Sequence, residues 1–193
     1  MNSGSGQSCG AVIVLSGPSG VGKSTICKQI LERVENVYLS ISTTTRMKKI
    51  GEQDGVDYFF VSRDEFEKQK KAGNFLEYAE VFGNFYGTPR DKLEKALNEG
   101  KTVLLEIDVQ GAQQVKKIIP DARMIFILPP EHKELKNRIT GRGRDDEQDV
   151  KKRLAGADAE IAASEFFDYK VVNDKLENAV EEVLQIIKKE IGE

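Results

Sequence analysis

The chain has 193 residues, of which 32% are charged and 39% are hydrophobic, and its formal net charge is −3. These values are typical of one compact globular domain, and the acidic balance argues against a general electrostatic attraction to nucleic acid. No apolar run reaches the roughly 20 residues that span a bilayer, so we predict neither a membrane nor a nucleic-acid partner.

The first ten residues, 1–10, are rich in glycine and serine and lack the apolar segment of a secretory signal. We predict a disordered leader here and, by default, a cytoplasmic location. The two cysteines, Cys9 and Cys27, are too few for a disulfide framework and lack metal-ligand spacing. Both are predicted to be free thiols in a reducing compartment.

Strand and helix patterns alternate along most of the chain, which predicts an α/β fold with a mostly parallel sheet flanked by helices. Short apolar runs predict strands at Ala11–Leu15, Val103–Ile107, Arg123–Leu128 and Tyr169–Val172. Amphipathic patterns predict helices at Lys23–Val34 and Leu176–Ile191.

Two stretches interrupt this alternation. Ser42–Arg90 is polar and aromatic, contains several glycines and shows no long buried strand, so we predict an inserted lobe with a small core of its own. Arg138–Arg153 is charged and interrupted by glycine, which indicates a mobile lid. The predicted domain therefore comprises a core of residues 11–41, 91–137 and 154–193, a lobe of residues 42–90 and a lid of residues 138–153.

Residues 17–24 match the phosphate-loop pattern G-x-x-x-x-G-K-[ST], with a predicted strand before them and a predicted helix after them. Such a loop turns backbone N–H groups and a helix N-terminus towards phosphate oxygens, which identifies the fold as that of the P-loop NTPases. Lys23 is expected to reach the β- and γ-phosphates, and Ser24 to ligate Mg²⁺. The predicted nucleotide contacts are Gly17, Pro18, Ser19, Gly20, Val21, Gly22, Lys23, Ser24 and Thr25.

Glu106 and Asp108 lie at the end of the predicted strand Val103–Ile107. Ligands of open α/β sheets bind beyond the carboxyl ends of the strands, so both carboxylates are candidates to face Mg²⁺ or a second substrate. Solvated acids at a strand end are the alternative interpretation. The phosphate loop does not reveal which reaction the protein catalyses, because ATPases, GTPases and small-molecule kinases all use such a loop.

From Val12 to near its end, the chain resembles the guanylate kinase family. The resemblance depends on several motifs in the family's order: Ser16–Thr25, Ser42–Arg46, Gly51-Glu52, Gly55, Asp57-Tyr58, Phe75–Ala79, Gly83–Thr88, Glu106–Ala112, Arg138, Gly141–Gly143, Arg153 and Val172–Asp174. A set of spaced motifs is far more specific than the phosphate loop alone.

The resemblance implies Mg²⁺-dependent transfer of the ATP γ-phosphoryl group to GMP, and to dGMP. It implies that the acceptor phosphate is held by Ser42, Arg46, Tyr58 and Tyr86, with Glu52 in support, and that guanine is read by Glu77, Thr88 and Asp108. It further implies that Arg138, Arg142 and Arg153 close over the ATP phosphates and that Asn173 lies near adenine. The expected catalytic residues are Lys23, Arg46, Arg138, Arg142 and Arg153.

The chemistry of guanine agrees with these roles. Its Watson–Crick edge carries N1–H and N2–H₂ donors, and a carboxylate such as that of Glu77 can accept both. Adenine has an unprotonated N1 at the same place, which would face the carboxylate unfavourably.

The chain departs from the family pattern after Arg46, where Lys48 and Lys49 replace a Pro-Arg pair. Lys49 keeps the charge of the arginine but loses its planar, two-pronged group. We predict that Lys49 still contacts the acceptor phosphate, as a weaker point charge.

Three alternatives remain open at this stage. One is a kinase of another small acceptor, against which Glu77, Thr88 and Asp108 argue. The second is a guanylate-kinase-like module that binds a phosphopeptide without catalysis, against which the intact phosphate loop argues. The third is a regulatory NTP switch, for which no water-positioning residue is identified. The lone histidine, His132, is predicted to be a surface residue without a catalytic role, and the protein to be a monomer, with a dimer as the alternative.

Overall fold

The computed structural model describes residues 10–131, 134–135 and 147–192, with the backbone alone described for residues 147–154. The strands are β1 Val12–Ser16, β2 Val37–Ser40, β3 Thr43–Thr44, β4 Phe59–Phe60, β5 Phe75–Val81, β6 Asn84–Pro89, β7 Thr102–Glu106, β8 Arg123–Leu128 and β9 Tyr169–Val172. The helices are α1 Lys23–Arg33, α2 Arg63–Lys71, α3 Arg90–Asn98, α4 Val109–Ile118, α5 Glu147–Ala162 and α6 Leu176–Ile191, with a 3-10 helix at Ala163–Phe166.

The central sheet has five parallel strands in the order β2-β7-β1-β8-β9. Every residue of β1 is buried, because helices cover both faces of a parallel sheet and leave no strand face in water. Two separate apolar clusters follow from this arrangement. One packs α1 and α6 against one face of the sheet, and the other packs α3 and α4 against the opposite face. The predicted mostly parallel α/β sheet is therefore confirmed.

A second sheet of four strands lies within residues 43–89, in the order β4-β3-β6-β5. Phe66 of α2 is fully buried beneath it and stacks on Phe75 and Phe85, with ring centroids 4.6 and 5.5 Å apart. The expectation that this region holds no long buried strand is wrong, because β5 is seven residues long and mostly buried. The whole division into core, lobe and lid stays a prediction.

The predicted strand and helix boundaries hold closely in the core. The strands Arg123–Leu128 and Tyr169–Val172 and the helix Leu176–Ile191 have the predicted bounds. The strands β1 and β7 are displaced by one residue from their predicted positions, and α1 ends one residue early. The strand β2, at the edge of the central sheet, was not predicted.

Several predictions fall on parts of the chain that the structure leaves undescribed. The leader up to Cys9, His132, Arg138 and Arg142 lie outside the described residues, and Arg153 lies in α5 where only the backbone is described. Cys27 is a free, buried thiol whose pKa is raised chiefly by burial. None of the helices in the described part of the chain is long and apolar enough to cross a membrane.

Candidate functional site

The predicted site residues gather at the carboxyl ends of the central strands. The phosphate loop, residues 17–22, connects β1 to α1, and Asp108 connects β7 to α4. In a parallel sheet these ends point to the same edge, where the loops that bind ligands meet. The four-stranded sheet brings its own residues towards this edge through contacts of β5 with α4: the Gln114 amide donates to the Tyr78 carbonyl over 2.8 Å.

The phosphate loop has a backbone that only glycine can supply at two of its positions. Gly17 has φ of 145°, and a Cβ there would lie 2.4 Å from the Ile127 carbonyl oxygen. Gly22 has φ of 107°, and a Cβ there would lie 2.6 Å from Asn173 Nδ2. Both conformations are strained for residues with a side chain, and both approaches are too close for one. The packing of the loop against β8 and Asn173 thus requires these glycines.

Lys23 begins α1, and its ammonium group curls back over the loop. Its Nζ donates to the Gly17 carbonyl over 2.6 Å and to the Pro18 carbonyl over 3.3 Å. The N-cap of α1 is Gly22, which has no side chain to cap the first-turn N–H groups. These groups and the Lys23 ammonium therefore lie together at the N-terminus of α1, a place that is suited to an anion.

Ser24 and Glu106 form a second polar pair beside the loop. The Ser24 hydroxyl donates to Glu106 Oε1 over 2.7 Å, so the first turn of α1 meets the end of β7. A hydroxyl and a carboxylate fit a magnesium ion that also keeps waters and phosphate oxygens among its ligands. A protein-only cage of three or more His, Cys, Asp or Glu side chains is absent from the described part of the chain.

Asn173 follows β9 and is buried, with 4% of its surface exposed. Its amide donates to the Val21 carbonyl over 2.7 Å, which fixes the end of the central sheet to the phosphate loop. This contact was not anticipated. The predicted proximity of Asn173 to adenine is a separate expectation and stays a prediction.

Arg46 and Glu52 form a two-pronged ion pair in the four-stranded lobe, over 2.8 and 3.1 Å. Glu52 also accepts the backbone N–H of Lys49 over 2.8 Å. Burial acts to raise the pKa of Glu52, but the Arg46 and Lys49 donors outweigh it and lower that pKa. Glu52 therefore stays ionised and orients the guanidinium, as its predicted supporting role requires.

Two tyrosines lie beside this ion pair. The Arg46 guanidinium is 5.2 Å from the centre of the Tyr58 ring, and the Tyr58 and Tyr86 rings meet edge to face at 5.9 Å. Burial raises the pKa of Tyr58 far above its ordinary value, so its hydroxyl remains a neutral donor. Ser42 is buried just before β3. The predicted acceptor-phosphate residues thus lie in one region of the lobe.

Glu77 lies in β5 and is an acid inside the protein, with only 4% of its surface exposed. Thr88 of β6 donates its hydroxyl to Glu77 Oε1 over 2.6 Å. A Cβ at Gly111 would lie 2.5 Å from Glu77 Oε2, so the missing side chain of Gly111 makes room for the carboxylate. Burial raises the pKa of Glu77 to about 7, opposed by the Thr88 hydrogen bonds and reinforced by the charge of Asp108.

Asp108 caps the N-terminus of α4. Its Oδ1 accepts the backbone N–H groups of Gln110 over 2.6 Å and Gly111 over 3.0 Å. This capping bond was not anticipated. Its carboxylate lies close enough to Glu77 to act on the pKa of that group, so the structure brings the predicted guanine-reading residues Glu77, Thr88 and Asp108 together.

Three residues of the site carry contacts that the sequence motifs did not single out. Glu106 was noted as a strand-end acid, yet its bond to Ser24 depends on a partner 82 positions away. Gly111 provides space for Glu77, a role visible only in three dimensions. Glu160 of α5 lies within electrostatic reach of Lys23 and has a pKa that is raised chiefly by burial, and no motif surrounds it in the sequence.

Known proteins resemble this chain over almost its whole length. A family model described as guanylate kinase matches residues 10–190. A guanylate kinase of Enterococcus faecalis is 52% identical over 182 residues, which cover 94% of this chain and 89% of the relative. One of Synechocystis is 49% identical over 181 residues, which cover 94% of this chain and 95% of the relative.

A solved structure extends the likeness to three dimensions. The crystal structure of guanylate kinase from Anaplasma phagocytophilum superposes with a TM-score of 0.82 at 38% identity, over 96% of this chain and 88% of that one. The match therefore spans the central sheet and the lobe alike. On these grounds the chain belongs to the guanylate kinase family.

Proposed function

We propose that this protein is a guanylate kinase, which transfers the γ-phosphoryl group of ATP to GMP, and to dGMP, giving ADP and the nucleoside diphosphate. The observation that carries this proposal is the buried Glu77 carboxylate, held by Thr88 and facing the start of α4. The curated relatives named above support the same activity.

Glu77 accounts for the choice of base. A buried carboxylate without enough donors is unfavourable, which is why the pKa of Glu77 rises to about 7. The N1–H and N2–H₂ groups of guanine supply two donors to it, whereas adenine offers an acceptor at N1. A site whose buried polar group is left unpaired by the wrong base discriminates by about 10⁴-fold in favourable cases.

On this proposal, the acceptor phosphate binds in the region around Arg46. Arg46, Tyr58, Tyr86, Ser42 and Lys49 would supply its donors, and Glu52 keeps the guanidinium in place. The aromatic rings that flank Arg46 restrict its rotamers, so its guanidinium group is already oriented before the acceptor phosphate binds.

On the same proposal, the donor phosphates bind to the loop of residues 17–22 and to Lys23. Lys23 would exchange its carbonyl partners for the β- and γ-phosphates of ATP. Ser24 and Glu106 fit a magnesium ion, which would supply neutralising charge between the phosphates when bound. The chain's own part in transfer is to bring both nucleotides in line and keep water out, since phosphoryl transfer needs positioning and charge neutralisation.

Two further roles stay within the proposal because no contact among the described residues bears on them. Arg138, Arg142 and Arg153 are proposed to close over the ATP phosphates, as the resemblance implies. Asn173 is proposed to lie near adenine. The monomeric state and the cytoplasmic location likewise remain predictions.

The test is a panel of acceptors offered one at a time with Mg·ATP: GMP, dGMP, AMP, CMP and UMP, with ADP formation as the readout. Turnover with GMP and dGMP alone would support the proposal. Turnover with another acceptor would contradict the role given to Glu77. Nucleotide binding without any turnover would favour a phosphopeptide-binding module of the same family.

Lys49 offers a sharper test of the acceptor-phosphate region. The Lys49→Arg variant is expected to lower the KM for GMP by about threefold to tenfold, because a planar fork binds a phosphate through two parallel bonds where an ammonium acts as a point charge. Steady-state kinetics with GMP varied at saturating ATP measures this. Lys48→Arg at the exposed neighbouring position is the matched control and should leave the KM unchanged. Unchanged KM and kcat in Lys49→Arg would remove Lys49 from the phosphate contacts.

A further inference from the structure

The strand β5 has an irregularity at Glu77. Between Phe75 and Tyr78 its pairing with β6 gains one residue, because three steps along β5 match two along β6. Phe75, Leu76 and Glu77 are all buried, whereas the side chains of a regular strand alternate between two faces. An extra residue of this kind, a β-bulge, bends the strand and redirects a side chain. The redirected carboxylate lies against α4, where a Cβ at Gly111 would be 2.5 Å from Glu77 Oε2.

Gln114 of α4 holds the backbone of Tyr78, the residue that ends this bulge. Its Nε2 donates to the Tyr78 carbonyl over 2.8 Å, and its Oε1 accepts the Tyr78 N–H over 3.4 Å. Nε2 also donates to the carbonyl of Gln110, one turn earlier in α4, over 3.4 Å. The amide therefore uses both its donor and its acceptor on one residue of the strand, which fixes that residue in two directions.

The edge of the four-stranded sheet faces α4. In the order β4-β3-β6-β5 the strand β5 comes last, so alternate backbone groups along it point away from β6. Tyr78 and Glu80 are two residues apart and both offer a carbonyl on this side. Gln110 Nε2 donates to the Glu80 carbonyl over 3.5 Å, which is a longer bond than that of Gln114 to Tyr78. Gln114 is therefore the closer of these two links between the strand and the helix.

The two elements that Gln114 connects carry residues assigned to guanine. Glu77 directly precedes Tyr78 in β5, and Asp108 is the N-cap of α4, less than about two turns before Gln114. The guanine site is thus assembled from a strand of one sheet and a helix that follows a strand of the other. Its geometry depends on how β5 is seated against α4.

We propose that Gln114 is a positioning residue for guanine recognition, which fixes β5 at the end of its bulge and so holds the Glu77 carboxylate against the start of α4. Gln114 acts through Glu77 and needs no contact of its own with the substrate. Two short hydrogen bonds to one base edge tolerate little displacement, because a shift of about 1 Å lengthens both of them. This inference rests on the proposed function, because it takes Glu77 to be the group that receives guanine.

Methionine at position 114 separates the hydrogen bonds from the shape of the side chain. Gln114→Met keeps an unbranched chain of similar length and a high helix propensity but removes the amide. Gln114→Glu is the second variant: it can still accept the Tyr78 N–H, but its carboxylate repels the Tyr78 carbonyl. The matched controls are Gln113→Met and Gln113→Glu, at the exposed neighbouring position of the same helix. Steady-state kinetics is measured with GMP and with Mg·ATP varied in turn, and melting temperatures are recorded.

Both Gln114 variants are expected to raise the KM for GMP by about tenfold while changing the KM for ATP by less than about twofold. The Gln113 variants should change neither constant by more than about twofold. A double-mutant cycle gives the sharper result. In a Glu77→Gln protein, adding Gln114→Met should lower kcat/KM for GMP by less than about twofold, because the carboxylate through which Gln114 acts is already gone.

An unchanged KM for GMP in both Gln114 variants would overturn the proposal. So would an effect of the same size in the Glu77→Gln protein, or equal losses for GMP and ATP, since a purely structural residue would produce these results. Loss of folding in both variants would assign Gln114 to the stability of the whole protein and would also overturn it. Failure of the proposed function is distinct, because the unmodified protein would then not phosphorylate GMP at all.

Discussion

Glu77→Gln is expected to lower kcat/KM for GMP by at least about 10³-fold. The amide can accept only one of the two guanine donors, and its NH₂ group points a donor at N1–H or N2–H₂. Wrong pairing in a buried polar site costs several kcal/mol, which corresponds to a loss of this size. The loss should fall on the acceptor side, so the KM for ATP should change little.

The same substitution is expected to stabilise the empty protein at alkaline pH. Below about pH 4.5 the side chain is protonated in both the folded and the unfolded chain, so it contributes no pH dependence. Between pH 4.5 and 7 the folded protein keeps a proton that the unfolded chain has lost, so stability falls as the pH rises. Above pH 7 the full cost, about 3 kcal/mol, is present in the unmodified protein and absent from Glu77→Gln. The amide's own buried donors offset part of this gain.

Urea denaturation at pH 5 and pH 8 measures the stability difference, and steady-state kinetics with GMP measures the catalytic loss. Glu80→Gln is the matched control, because Glu80 is an exposed acid of the same strand. It should leave both quantities nearly unchanged. A Glu77→Gln variant whose stability relative to the unmodified protein is the same at both pH values would contradict the raised pKa. Retained turnover of GMP would contradict the guanine contact.

Lys23→Ala is expected to lower kcat by about 10³-fold, the scale of loss seen when a preorganised charge-stabilising donor is removed from an active site. Folding should survive, because the hydrogen bonds of the Lys23 ammonium within the described part of the chain go to the backbone carbonyls of Gly17 and Pro18. GMP binding should survive as well, since the predicted acceptor residues, apart from Asp108 after β7, lie in the region of the four-stranded sheet. Turnover assays and calorimetric titration with GMP check these expectations.

Lys28→Ala serves as the control for Lys23→Ala, because Lys28 is exposed on the same helix. Its kcat should stay close to that of the unmodified protein. If Lys23→Ala kept most of its turnover, the phosphate loop would not be the donor site. If it lost the ability to bind GMP as well, the variant would be damaged beyond that loop and the separation of the two sites would be wrong.

Local patterns were enough to predict four of the five strands of the central sheet. The strand Arg123–Leu128 is a run of apolar residues ended by two prolines, and the helix Leu176–Ile191 has a clean apolar face. Both have the predicted bounds, since their burial is dictated by their own residues. The phosphate loop was predicted equally well from the sequence, because its glycines are required by a backbone geometry that few other sequences adopt.

The features that the sequence pattern did not predict depend on tertiary contacts. The strand β5 carries Glu77 at a buried position, which interrupts the apolar pattern that would have marked a strand. The burial of the Glu77 carboxylate depends on Thr88 and Gly111, which are distant from it in sequence. Glu160 lies in a helix rich in charge, and only the burial of its Oε2 atom distinguishes it from a solvated acid. Pairings over such separations leave no local periodic signal.

The number of protons released when GMP binds is the most direct test of the central claim that the Glu77 carboxylate receives guanine. Calorimetry at pH 7 in two buffers of different ionisation enthalpy gives this number. With a pKa of about 7, we expect about half of the Glu77 side chains to carry a proton at pH 7 before GMP is added and to lose it on binding, which gives release of about half a proton. The GMP phosphate adds about 0.1 proton at this pH. Release should rise towards pH 6 and vanish near pH 8.5; release of no more than about 0.1 proton at pH 7 would contradict the claim.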